Sequence, residues 1–140
     1  MADASDPLSV WAGLAKTFCW IFGEEGSDLD ADGVPLVRED LTGAIVYFVA
    51  SETEASARLI RLASDDGSGQ VAINGPTGEV QVTLKPADTE SLDLAGAGEC
   101  GQTPRLDLVW QLVIDRAGDE ARMGDYGDLY VLAAINTDPV

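Results

Sequence analysis

Asp28, Asp30 and Asp32 alternate along one short segment, Gly33 follows directly, and Glu39 closes the stretch. Counted from Asp28, the three aspartates, the Val34 carbonyl and Glu39 take positions 1, 3, 5, 7 and 12, with Gly33 at position 6. This is the ligand spacing of a calcium loop, in which hard oxygen donors wrap a divalent cation and a glycine makes the sharp turn. Pro35 falls at position 8, where an EF-hand loop needs a backbone N–H for its small sheet, and proline has none. Gly23 and Gly26 stand where the incoming helix should be, and β-branched and aromatic residues follow instead of the outgoing one. A paired EF-hand is excluded. Two readings remain for Asp28, Asp30, Asp32 and Glu39: a weak calcium site in a hairpin loop, or an acidic turn.

Other chemistry finds little support. The chain has no histidine, which removes histidine general bases, His-dependent triads and most catalytic zinc sites. Adjacent carboxylates occur at Glu24-Glu25, Asp65-Asp66 and Asp119-Glu120, all in expected turns where solvation keeps them ionised. No nucleophile elbow or glycine-rich cofactor fingerprint accompanies them. The expectation is a protein that is not an enzyme and carries no cofactor beyond the weak calcium reading. Of the two cysteines, Cys19 lies in an apolar run and is expected to pack as a small buried hydrophobe. Cys100 lies in a Gly-rich loop, and nothing in the sequence favours a disulfide between the two.

The elements that position these residues belong to a chain of 140 residues, a length that fits one domain. Twenty-five Asp and Glu stand against eight Lys and Arg, a net charge of −17. Such a surface repels phosphate backbones, so direct nucleic-acid binding is not expected, whereas solubility, cation binding or docking on a basic surface is. No apolar run reaches the roughly 18 residues of a membrane span. The acidic start, Met1 to Pro7, has no basic segment ahead of an apolar one, so no secretory signal is expected.

Strand signals recur, separated by turn formers. Lys16–Phe22, Ala44–Ala50, Val71–Ile73, Glu79–Leu84 and Arg105–Asp115 read as strands, the last two by clear alternation. Ala57–Ala63 fits strand or helix, and a helical turn fits Ala87–Glu90 within an otherwise irregular stretch from Lys85 to Pro104. Near the end, Glu120–Met123 and Asp128–Ile135 read as separate strands divided at Gly124 or Gly127. About seven or eight short strands with turns about every 8 to 12 residues indicate an all-β antiparallel sandwich. Residues 1–14 form an N-terminal arm, with a short helix from Pro7 capped by Asp6, and residues 15–140 form the sandwich.

In order along the chain come Phe18, Trp20 and Phe22 in one strand, Asp32-Gly33-Val34-Pro35, and Asp40-Leu41-Thr42-Gly43-Ala44 leading into a strand. Gly78-Glu79-Val80 through Leu84, Asp88-Thr89 and Leu92, a Gly-rich loop, the strand Leu106–Ile114, a short hairpin, and Gly127-Asp128-Leu129-Tyr130-Val131 follow. This order resembles the immunoglobulin-like module at the N-terminal end of tailed-phage upper baseplate and tail-fibre proteins, whose pattern runs roughly DGxPxDLTGAxVxF, GxVxxxL, a strand of the YxLxL kind, a hairpin and GxxxV. The resemblance spans about Lys16 to Ile135. It departs where four residues separate Pro35 from Asp40, and where Ala95–Pro104 lengthens a loop. No shaft or receptor-binding domain follows Val140, so the resemblance implies the module standing alone.

The resemblance implies an immunoglobulin-like sandwich that acts as connector or attachment module in a phage tail or baseplate. Its location would be the virion, and the host cytoplasm during assembly. Its partners would be other virion proteins, in a multimeric arrangement with no nucleic acid or membrane in direct contact. A capsid decoration protein and a cation-binding module outside any virion are the alternatives. Trp20, Phe48 and Trp110 are expected as core anchors. Leu8, Val10, Trp11 and Leu14 make the arm more apolar than a free terminus needs. They are the candidate partner interface, with Trp11 as anchor, unless the arm folds back over its own sandwich.

Overall fold

The computed structural model describes residues 7–24, 26–90, 92, 105–116, 118 and 120–132. Eight strands follow in order: β1 Leu8–Trp11, β2 Lys16–Ile21, β3 Ile45–Ser51, β4 Arg58–Ala63, β5 Val71–Asn74, β6 Glu79–Leu84, β7 Arg105–Asp115 and β8 Arg122–Leu132. One turn of 3-10 helix over Gly75–Thr77 joins β5 to β6, and a single helical turn, α1, covers Pro86–Thr89. The strands form two sheets, one ordered β1-β8-β7-β3-β4 and the other β2-β6-β5. The fold is all-β, and the larger sheet curls into a half-barrel.

The core follows from alternation along the strands. Leu106, Leu108, Trp110, Leu112 and Ile114 of β7 all point inward and are buried. Val46, Phe48 and Ala50 of β3 lie beside them, and Val80, Val82 and Leu84 of β6 close the core from the other sheet. Trp20, Phe48 and Trp110 meet at its centre: Trp20 lies 5.3 Å from Trp110, and Phe48 stacks on Trp110 at 6.0 Å. The buried indole N–H of Trp110 has no hydrogen-bond partner among the described residues. The half-buried Phe18 extends this group along β2.

Two expectations about the ends of the chain are corrected. The arm is not helical: Leu8–Trp11 is a strand, parallel to β8, with Leu8 opposite Leu129 and Val10 opposite Val131. The alternation of Leu8 and Val10 with Ser9 and Trp11 suits a pleated edge, and burying Val10 outweighs the weak propensity of so short a helix. Asp6, its expected cap, lies outside the described residues. Likewise Glu120–Ile135 is not a hairpin. Arg122–Leu132 runs through as one strand, and Gly124 is the extra residue of a bulge, since Leu112 pairs with Asp125 and Val113 with Met123. Gly127 lies buried opposite the broad Trp110. A Cβ at Gly124 would also stand 2.9 Å from Ile114, and neither glycine makes the turn that it suggests in sequence. Residues 133–135 lie outside the described residues.

Cys19 is also corrected. It sits on the outward face of β2, exposed and free, because Phe18 and Trp20 take the inward positions and strand alternation puts Cys19 opposite them. Cys100 lies outside the described residues.

Candidate functional site

Between β2 and β3 the described residues 23, 24 and 26–38 fold as a hairpin. Glu24 N–H donates to the Val37 carbonyl at 2.9 Å, and Leu36 N–H to that of Asp28 at 2.8 Å. Asp30 N–H donates to Val34 at 2.8 Å, and Gly33 N–H to Asp30 at 3.0 Å. This last pair, with Gly33 at φ 81°, is a tight turn followed by a left-handed residue, a standard way to close a short hairpin. The Asp30 carboxylate holds the tip: its Oδ1 accepts from the backbone N–H of Asp32 and of Val34, both at 2.9 Å. Asp28 and Asp32 are exposed beside it. So are Leu29 at 60%, Leu36 at 63% and Val37 at 49% of their full surface. At the base, Gly23 is required by close approach, since a Cβ there would stand 2.3 Å from Pro35. Arg38 ties the base to the 3-10 turn, donating to the carbonyls of Pro35 at 3.1 Å and Thr77 at 3.3 Å.

Glu39 leads away from the aspartates. Its carboxylate accepts from Arg116 at 2.9 Å and is also paired with Arg122. The two arginines leave the end of β7 and the start of β8. Arg116 donates as well to the Asp40 carbonyl at 2.6 Å. The four residues of the expected cation set are therefore not brought together, and no group of three or more Cys, Asp or Glu gathers among the described residues. Nothing in the local sequence foretells the Glu39 cluster, because its arginines arrive from strands far along the chain.

Asp40-Leu41-Thr42-Gly43-Ala44 forms the lead-in to β3. Leu41 is buried, and its N–H donates to the Gly75 carbonyl at 2.8 Å. The Asp40 carboxylate accepts from Thr42 N–H at 2.9 Å. Hydrogen bonds from the Thr42 hydroxyl and backbone N–H, with Arg116 nearby, hold Asp40 below the ordinary carboxylate value of 3.8. Glu39 N–H donates to Phe22, and Phe22 N–H to Gly78, both at 2.9 Å. The lead-in, the end of β2 and the start of β6 are thereby clasped at one point. The chemistry of this clasp is mechanical: its carboxylates hold turns and arginines.

The arm residues are divided. Val10 is in the core and Leu8 packs against it, whereas Trp11 is 41% and Leu14 47% exposed. Gly13 N–H donates to the buried Thr89 hydroxyl at 2.9 Å, tying the turn after β1 to α1. Sequence reasoning missed the outer face of the smaller sheet, where Cys19, Ile21, Ala72, Asn74, Glu79 and Gln81 line an open groove of about 280 Å³. Their alternation was the available signal, but it marks only which residues face outward. No protein-family model and no curated protein matches the chain.

Proposed function

We propose that this chain is a structural protein of a tailed-phage particle, an immunoglobulin-like sandwich serving as connector or attachment module in the tail or baseplate. It works through surfaces presented to other virion proteins, not through catalysis or a cofactor, and reaches the virion from the host cytoplasm.

The strand order is the observation that carries the fold part of this reading. In variable-type immunoglobulin domains, strands G, F, C and C′ share one sheet and B, E and D the other. The order β8-β7-β3-β4 opposite β2-β6-β5 follows that plan, with β1 added beside β8. Antibody domains join strands B and F by a disulfide and pack a strand C tryptophan on it. Here Trp20 of β2 meets Trp110 of β7, and Phe48 of β3 stacks on Trp110, so aromatic rings take the place of the bridge. A fold alone does not name a function. The function part rests on the resemblance, whose motifs fall on working parts: Asp32-Gly33 at the hairpin tip, Asp40–Ala44 at the clasp, and Gly78 where three segments meet.

Mass spectrometry of purified particles tests the proposal. The chain should be recovered from intact virions in stoichiometric amount, with antibody label on the tail. Absence from purified particles overturns the reading, and hundreds of copies on the head overturn its tail assignment.

A further inference from the structure

Among the described residues four strand edges bound the two sheets, and three of them are defended against pairing with another chain. β4 carries the exposed Arg58 and Arg61 and a register shift at Ala50/Ser51 of its partner strand. β1 and β5 have four residues each, the former preceded by Pro7 and the latter closed by Gly75-Pro76. Short strands, charges, prolines and bulges are the usual protections of an edge. β2 is the least protected: its one charge, Lys16, stands at its first residue, it pairs with β6 without a register shift from Lys16 to Ile21, and no charge or proline interrupts Thr17–Ile21.

The direction of its hydrogen bonds leaves the other side open. Phe22 N–H donates to Gly78, and Glu24 N–H to Val37, so even-numbered residues turn their peptide groups toward β6 and the hairpin. Those of Thr17, Cys19, Ile21 and Gly23 turn to the opposite edge, where no described residue pairs with them. Along this edge Phe18, Trp20 and Phe22 are only half-buried.

We infer that β2 is a self-association edge, pairing antiparallel with β2 of a second copy about a two-fold axis at Trp20. Charge selects both partner and register. Centred on Trp20, Lys16 of each copy stands opposite Glu24 of the other, Phe18 opposite Phe22, and Trp20 opposite Trp20, while Cys19 and Ile21 exchange backbone hydrogen bonds. The aromatic pairs then occupy the non-hydrogen-bonded positions, where cross-strand side chains lie closest. A slip that centres the axis on Cys19 leaves Lys16 against Phe22 and Glu24 without its partner. The interface is isologous, as a two-fold dimer requires.

Sedimentation velocity on the full chain, reduced and at rising concentration, is the test. A shift to dimer mass is expected. Lys16→Glu and Glu24→Lys should each weaken it on the order of tenfold, since each breaks two symmetric charge pairs, and the double exchange should restore it. Both positions are exposed, so the monomer fold is kept, as its melting temperature will report. General repulsion between acidic chains gives a different pattern: Lys16→Glu weakens association while Glu24→Lys strengthens it. That pattern, a monomer at every concentration, or single reversals that the double exchange does not rescue overturns the inference.

Discussion

A methyl group added at Gly78 would stand 2.5 Å from the carbonyl oxygen of Phe22 and 2.7 Å from that of Glu39, and the residue's φ is 67°. Both oxygens belong to backbone that is itself hydrogen-bonded in the clasp, so neither can withdraw cheaply. Gly33 at the hairpin tip shares the left-handed conformation, at φ 81°, but nothing lies within 4 Å of its missing Cβ. The two positions separate conformational strain from crowding. Gly33→Ala should cost about 1–2 kcal/mol, the left-handed penalty alone. Gly78→Ala adds the clash and should cost roughly 3–5 kcal/mol. Paired denaturant melts measure the difference, and equal losses would mean that the clasp relaxes. The sequence shows both as turn glycines and has no means of ranking them. It reads Glu39 in the same local way, as the end of an aspartate series, while its arginines lie on β7 and β8.

At the scale of elements, legibility follows period and length. β6 and β7 alternate over their whole length, and their bounds, Glu79–Leu84 and Arg105–Asp115, were plain in the sequence. β4 was ambiguous because Arg-Leu-Ile-Arg-Leu-Ala carries both a helical and an extended pattern, and its pairing with β3 decides it. β1 has the look of a helix in sequence because so short a segment has no strong period of its own; the β8 edge supplies its hydrogen bonds. That pairing sets the expected result of deleting Met1–Leu14. The deletion removes Val10 from the core and uncovers one edge of β8, for a loss of about 2–4 kcal/mol. The truncated chain should melt well below the full one. Trp11→Ala touches a half-exposed ring and should change the monomer's stability by less than about 1 kcal/mol. A truncated chain as stable as the full one would return the arm to the role of a free docking segment.

For the whole molecule, two acid responses oppose each other, and their order in pH is fixed. The net charge of −17 makes the compact state repel itself more than the unfolded chain does. Lowering the pH from 7 removes negative charge and should first raise stability. Against this stand Asp40 and Asp66. The Ser68 hydroxyl and N–H, with Ala63 N–H, hold the Asp66 carboxyl below 3.8, as Thr42 holds that of Asp40. A carboxyl depressed in the fold stabilises it above the unfolded value, and that contribution is lost as the pH falls through the folded one. Their loss therefore begins only below about 3.8 and completes lower still. The melting temperature at low salt should climb from pH 7 toward roughly pH 4.5, where most carboxylates remain ionised but repulsion has begun to ease, and then fall steeply. In 1 M salt the Debye length shrinks to about 3 Å, so the climb should flatten and the neutral-pH value should rise. The steep acid fall should persist, because short hydrogen bonds at Asp40 and Asp66 are little screened. Asp66→Asn together with Asp40→Asn should lower stability at pH 7 and make the fall shallower. A melting temperature at low salt that does not rise between pH 7 and roughly pH 4.5 would show that self-repulsion does not dominate the charge balance of this chain.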